Sequence, residues 1–597
     1  MKKIILLAGL VYFLIAPFTY HPDTKLTLRY SALEGGRIWD IYGYIDGHKL
    51  DIPDFHYPPA HFWWLKIHYP ISKFIGGQGF DEWLTSGSTQ ASFDENALKY
   101  NLAVKFPLLI LGLVCGYFIF LIVKRAGGDN NKAKMAALFW YFNPVTLYAL
   151  VAMGQNDVVA IFLFLGGMLF YEKKWWLSIL LWGLASGVKS YPVIWGIMFL
   201  LVYEKKIFKL AGRIFLLVGT YVLILLPWLG KSYFAKAVLN SGLSQRMLVA
   251  NIGIGFEKQI LIVPMLLVLI AFRAWQNKSK NKKMQTSFVI FQSCLVILAF
   301  SHFNPQWMLW IIPFLSVWLF TRGVNKNDLL ALLIIFGTWF VLTLGFDDRF
   351  LTWGLLAPIS PSLLNFPSLV EFLRNKSMDM SMFLSLSQSV LAGVAIWYLS
   401  RKIRIKNQKS LGIKMKDWFV FMPWLLVFVL CILLNNINTI ETEYSQGEGN
   451  SIYLSETVGK NWIYMIKPGL KYFEISLDNP SLSSQDRGVL WMTDNMGEVF
   501  EKEFSGFNAG ANSWLRVDVP SFMSNSENIV LETRDVVTED SLLKIRLDES
   551  NRWAVNFYYI GKAGTVGLIN KLMSFWWWWL MMIVMSVFYV KVKEDQF

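Results

Sequence analysis

Charge is scarce in this chain. Asp, Glu, Lys and Arg make up 16% of 597 residues, while 55% are hydrophobic. Soluble domains carry roughly 25% charge, so water is excluded as the solvent for most of the chain. Cysteine is almost missing. Cys115, Cys294 and Cys431 all fall in apolar stretches. That excludes a disulfide framework or cysteine metal site and leaves three small buried hydrophobes. The motifs of soluble enzymes are also absent: Walker A, a Gly-rich phosphate loop, HExxH and GxSxG. No segment has the length or βαβ pattern of a soluble nucleotide-sugar enzyme. The net charge of +14 does not point to nucleic acid, because the basic residues cluster in short loops between apolar runs.

Those apolar runs predict about fourteen membrane spans. They lie near 3–20, 104–123, 135–151, 156–171, 175–189, 190–203, 211–229, 257–274, 286–301, 306–320, 328–346, 384–400, 417–436 and 573–592. Lys2 and Lys3 place the N-terminus in the cytoplasm. Every even connection is then basic, from Lys124 and Arg125, through Lys173 and Lys174, Lys205 and Lys206, Lys280 to Lys283, and Arg322 and Lys326, to Arg401 and Lys402. Lys591 and Lys593 end on the same side, as the positive-inside rule requires. The first run could instead be a signal peptide, but Ala16-Pro17-Phe18-Thr19-Tyr20 is a poor cleavage site.

Three outer regions follow from this topology: 21–103, the loops 230–256 and 347–383, and 437–571. The last contains short alternating runs such as Tyr472–Leu477, Val489–Met492, Trp514–Val519 and Asn528–Glu532, separated by Asn, Gly, Ser and Pro. That pattern predicts a small β-sandwich. The expected fold is an all-α polytopic bundle with a β-sandwich-like outer domain. Residues 1–436 form the bundle module, 437–571 the β-rich domain, and 572–597 a final span with a cytoplasmic tail. Trp576 to Trp579 read as an interfacial aromatic belt.

The first outer region is the most informative. A connector needs only a few residues, yet this one runs through Trp39-Asp40-Ile41-Tyr42-Gly43-Tyr44 and Asp54-Phe55-His56-Tyr57-Pro58-Pro59. Three more polar turns face the same side: Gly154-Gln155-Asn156-Asp157, Lys189-Ser190-Tyr191-Pro192 and Ser301-His302-Phe303-Asn304-Pro305-Gln306-Trp307. Ionisable groups near hydrocarbon are expensive, so each is a functional candidate. A carboxylate can take a proton from an attacking hydroxyl. Lysine and histidine can hold a phosphate and offset charge on a leaving group. Gln, Asn and Asp can orient sugar hydroxyls, and Trp39, Tyr42, Tyr44 and Trp307 offer flat faces to a ring. Each residue also has a plainer reading. Asp40 and Asp157 can cap helices, Lys189 can snorkel, and His302 can be an interfacial hydrogen-bonded histidine.

Over about residues 1–400 these motifs resemble the GT-C superfamily of membrane glycosyltransferases. They look most like the polyprenyl-phosphate-mannose-dependent enzymes of glycosyltransferase family 87. The resemblance implies a polyprenyl-phosphate sugar donor, usually mannose, a hydroxyl acceptor on the outer face, and inversion at the anomeric carbon. It implies amphipathic helices in the first outer loop. Asp40 would be the general base, and Lys189, His302 and Arg246 the donor-phosphate contacts. Trp39, Tyr42, Tyr44, His56, Tyr57, Gln155, Asn156, Asp157, Asn304 and Gln306 would line the sugar and acceptor sites. The sequence departs from the family pattern where Phe303 and Asn304 separate His302 from Pro305. No Asp-x-Asp pair stands at Asp40, so a reaction without cofactor or metal is expected. The expected partners are the lipid-phosphate sugar, a glycolipid, polysaccharide or protein acceptor, and the bilayer of the plasma membrane, with no nucleic acid. A lipid-linked-sugar flippase would also have many spans and intramembrane polar groups, but should show repeated halves, and none is seen. A non-catalytic envelope assembly subunit is the other alternative.

Overall fold

A computed structural model shows a mostly helical protein with a strand-rich C-terminal region. It describes residues 1–401, except 49–54, 87–90, 93, 241–247, 256–257, 278, 347, 360–362, 364–369 and 371–379, and beyond these only stretches within 439–561. The expected spans at 417–436 and 573–592, Trp576 to Trp579, Cys431 and Arg246 lie outside the described residues.

Among the described residues, five helices are long and apolar enough to cross a bilayer: Ala97–Arg125, Ile207–Trp228, Lys282–Phe300, Lys326–Leu344 and Ser381–Ser400. Two bent pairs, Lys2–Phe18 with Pro22–Gly36 and Asn130–Phe142 with Pro144–Ala152, raise the number to seven. Asp157–Phe170, Trp175–Val188, Pro192–Tyr203 and Ile262–Gln276 are apolar but shorter. A 14-residue helix rises only about 21 Å, less than the ~30 Å hydrocarbon core. Part of the expected span set is thus built from short helices joined by polar turns.

Polarity decides which helices go inside. The most apolar window of Lys282–Phe300 is 89% buried, and that helix carries Gln285, Thr286, Ser287, Gln292 and Ser293. Gln292 donates to the Tyr398 carbonyl at 2.6 Å, a bond that lipid could not supply. The corresponding window of Ile207–Trp228 is only 17% buried, and Phe208, Phe215 and Leu223 face outward from it. The basic connections are tied to one another at one end of the bundle. Lys283 pairs with Glu172, Lys205 donates to the carbonyls of Ala274 and Trp275, and Asn281 donates to that of Ala126.

The described residues of 21–103, the first expected outer region, pack into a folded unit. The chain bends by 83° after Phe18. Pro22 sits in the first turn of the next helix, and the His21 side chain caps it by accepting from Asp23 N. Helices Ile41–His48, Pro59–Gly76 and Phe80–Thr85 follow. Tyr20, Leu28, Tyr30, Ile41, Tyr42, Phe55, Phe62, Leu65, Trp83 and Phe234 share one buried cluster, which explains the aromatic density of this stretch.

The C-terminal region has two four-stranded antiparallel sheets. One runs in the order 461–465, 528–536, 487–494, 499–505, and the other 439–444, 555–561, 470–476, 514–518. Residues from both, including Trp462, Leu490, Leu531, Phe473, Leu515 and Phe557, form one buried cluster. Tyr464 of the first sheet meets Phe557 of the second at 5.4 Å.

Candidate functional site

The turn after the π-helix Leu147–Ala152 begins at Gly154, whose φ of +74° suits glycine. A Cβ there would also press on Lys105. Lys105 is buried in the helix Ala97–Arg125. Its Nζ donates to the carbonyls of Ala16, Thr19 and Ala152 at 3.0, 2.6 and 2.6 Å. It thereby locks the end of the first helix to this turn. Lys105 was not among the sequence candidates, although a lysine inside an apolar run was the available signal.

Asp157 opens the next helix and is 1% exposed. Its Oδ1 accepts from Trp310 Nε1 at 2.7 Å and Tyr191 OH at 3.2 Å. Its Oδ2 lies 3.4 Å from Lys189 Nζ. Lys189 Nζ stands 4.4 Å from the centre of the Tyr57 ring, and Tyr57 stacks on His61 at 4.1 Å. Tyr191 stacks on Trp310 at 3.8 Å, and Trp307 on Trp310 at 5.1 Å. The turns of Asp157 and Lys189 therefore meet here, with Tyr57 from the first long connection and Trp310 from just beyond the turn of His302. The buried Asp157 carboxylate is thus engaged by Trp310, Tyr191 and Lys189.

Gln155 Nε2 donates to Asp23 Oδ2 at 2.9 Å, and Asn156 Oδ1 accepts from Trp64 Nε1 at 3.0 Å. Asp23 was missed because nothing local distinguishes it from a helix-start acid. Its place beside Gln155 depends on contacts 132 residues apart. His61 was missed too. It is fully buried, and burial, then the Lys189 charge, holds it well below its ordinary pKa, with the Val188 backbone acting the other way.

Asp40 lies in a second group. Its Oδ1 accepts from Gly43 N at 2.9 Å and Trp228 Nε1 at 3.0 Å. Its Oδ2 is 3.3 Å from Lys231 Nζ. The Gly43 bond caps the helix Ile41–His48, so the plainer reading of Asp40 holds as well. The carboxylate is nonetheless about half exposed, which leaves it open to a reactant. Two links tie the groups together. Tyr42 OH donates to the Tyr57 carbonyl at 2.6 Å. The helix that leads to Trp228 also carries Tyr221, whose OH donates to Ser190 Oγ at 2.9 Å.

The remaining candidates are scattered around these groups. Trp39 is 65% exposed, with Lys66 Nζ 5.3 Å from its ring centre. Tyr42 differs from expectation: its ring is packed against Phe55, Trp228 and Phe234 and offers no free face. Tyr44 OH donates to Glu34. His56 Nδ1 is 3.1 Å from the Ala237 carbonyl. His302 is exposed and edge-on to Phe346. The Asn304 carbonyl accepts from Trp307 N, and Gln306 Oε1 is a buried acceptor with no hydrogen-bond partner among the described residues.

Residues 96–301 match the model of Glycosyltransferase family 87. This stretch holds Gln155, Asn156, Asp157, Lys189, Trp228 and Lys231, begins after Asp40 and ends before His302. The chain is also 27% identical over 143 residues to GPI mannosyltransferase 2 of Schizosaccharomyces pombe (strain 972 / ATCC 24843), a match covering 23% of this chain and 30% of the relative. It thus spans under a third of that relative's length. No solved structure matches. Residues 96–301 are thus similar to a glycosyltransferase family, and part of the chain to a mannosyltransferase, in a protein whose described residues include several helices long and apolar enough to cross a membrane.

Proposed function

We propose that the chain moves a hexose, mannose by its likenesses, from a polyprenyl-phosphate donor to a hydroxyl acceptor at the outer face of the plasma membrane. The observation that carries this reading is Asp40. Two N–H donors occupy Oδ1, while Oδ2 has Lys231 beside it, and the side chain stays about half exposed. As the acceptor oxygen bonds to the anomeric carbon, its proton passes to Oδ2. The bond from that carbon to the phosphate oxygen breaks, and its electron pair leaves with the polyprenyl phosphate. Configuration inverts. The phosphate departs as a stabilised anion, and we propose that Lys189, His302 and Arg246 receive it without a metal ion. Lys189 is suited to this because Asp157 and Tyr57 hold its side chain in place while 16% of it remains exposed. Rate comes from positioning and charge stabilisation.

In the same reading the chain has about fourteen spans, thirteen of them in the catalytic module of residues 1–436 and the last in residues 572–597. Residues 437–571 form an outer β-sandwich, and both termini are cytoplasmic. The two sheets with a shared core support the sandwich. The joined basic connections support the orientation.

The test is transfer of a labelled sugar from a synthetic polyprenyl-phosphate donor by purified protein. Asp40→Asn should abolish transfer and keep donor binding. Wild-type turnover in that variant would sink the assignment.

A further inference from the structure

We propose that Lys231 and Trp228 are positioning residues for Asp40, holding its carboxylate from a segment nearly 190 residues away in the chain. This rests on the transfer reading above. Trp228 and Lys231 lie three residues apart on the turn that ends the helix Ile207–Trp228, and Lys231 N donates to the Trp228 carbonyl at 2.9 Å. One turn therefore sends an indole N–H to Oδ1 at 3.0 Å and an ammonium to Oδ2 at 3.3 Å. With the Gly43 N–H at 2.9 Å, three groups fix the carboxylate plane. The space is tight, since a Cβ on Gly43 would collide with Asp40 Oδ2 and crowd Lys231 Nζ.

The same segment is docked a second time. Asp46, farther along the helix of Gly43, accepts from Tyr233 N at 2.9 Å, and Tyr233 OH accepts from Phe55 N at 2.6 Å. Segment 228–234 is thus clamped to the first outer region at both ends, and its reach to Asp40 is built into the packing.

Lys231 could instead be read as a phosphate ligand. The stereochemistry opposes that. In an inverting displacement the attacking and leaving oxygens lie on opposite sides of the anomeric carbon. A cation paired with the base is on the attacking side, while the departing phosphate lies away from it. Lys231 thus serves the proton acceptor. It keeps the carboxylate aimed, and leaves Oδ2 a lone pair for the incoming proton.

The test uses the full-length protein with a synthetic polyprenyl-phosphate sugar. Lys231→Met and Trp228→Phe should each lower kcat roughly ten- to hundredfold, the scale of a misplaced reacting group. The donor KM should stay within about twofold, since the interaction removed acts only in the chemical step. Lys231→Arg should recover most of the rate. Thermal unfolding of each variant identifies a folding defect, and Trp228→Phe, which keeps an aromatic ring, carries the test if the methionine variant is unstable. A raised donor KM with normal kcat, or normal kcat in both variants, overturns the proposal. An active Asp40→Asn variant would overturn the transfer reading first. An inactive Asp40→Asn with normal Lys231→Met and Trp228→Phe would overturn only the positioning role.

Discussion

Lys189 Nζ lies 3.4 Å from Asp157 Oδ2, and the aspartate side chain is 1% exposed. The two residues come from turns separated by one short helix pair, and the pair is shielded by Tyr57, Tyr191 and Trp310. Removing one partner from a buried pair leaves an uncompensated charge. Asp157→Asn should therefore cost roughly 3 kcal/mol. Adding Lys189→Met to it should return part of that loss. Thermal unfolding of the two single variants and the double variant in detergent checks this, and strict additivity would contradict the coupling.

Tyr57 should act through its ring. Its face meets Lys189 and stacks on His61, so Tyr57→Phe should keep donor affinity within about twofold. Tyr57→Ala should weaken it about tenfold, since a desolvated cation–π contact contributes up to about 2 kcal/mol. Donor binding by titration of both variants decides between ring and hydroxyl.

His61 should make the fold acid-sensitive. Burial, then Lys189, lowers its folded pKa below the unfolded value, and His68 adds to the same direction while the Val188 backbone opposes it. The neutral ring is favoured in the fold. The stability it contributes is complete above the unfolded pKa of about 6.5 and is lost as pH falls toward the lower folded value. Melting temperature should fall from pH 7 to pH 4.5 in the wild type. The fall should be shallower in His61→Phe, and equal slopes would refute the assignment.

Trp553 is fully buried against Trp462, with ring centres 4.5 Å apart, and both belong to the cluster shared by the two sheets. Trp553→Ala should cost about 3–5 kcal/mol through the cavity it leaves. Hydrogen exchange of the full-length protein should rise across 461–465 and 528–536 and stay unchanged in Lys282–Phe300.

Much of this architecture is written locally. Low charge, apolar runs and basic loops identify a membrane protein, because the bilayer acts on every residue of a span alone. The strand runs of 470–476, 487–494 and 528–536 appear where alternation predicted them, since alternation reports one buried face. Asp40, Lys189 and Asp157 stood out as charges beside apolar runs. The short helices of 157–203 were harder to read. Length decides whether a helix crosses, and the turns that shorten these helices are held by partners elsewhere in the chain.

What the sequence determined by itself was the solvent, the helical and strand periods, and the residue types able to do the chemistry. Tertiary structure decided which of them meet. Only folding sets Trp228 and Lys231 on Asp40, buries Asp157 under Tyr191 and Trp310, and turns Tyr42 inward. A side chain's environment is the sum of contacts from distant segments, and no local window contains those distances.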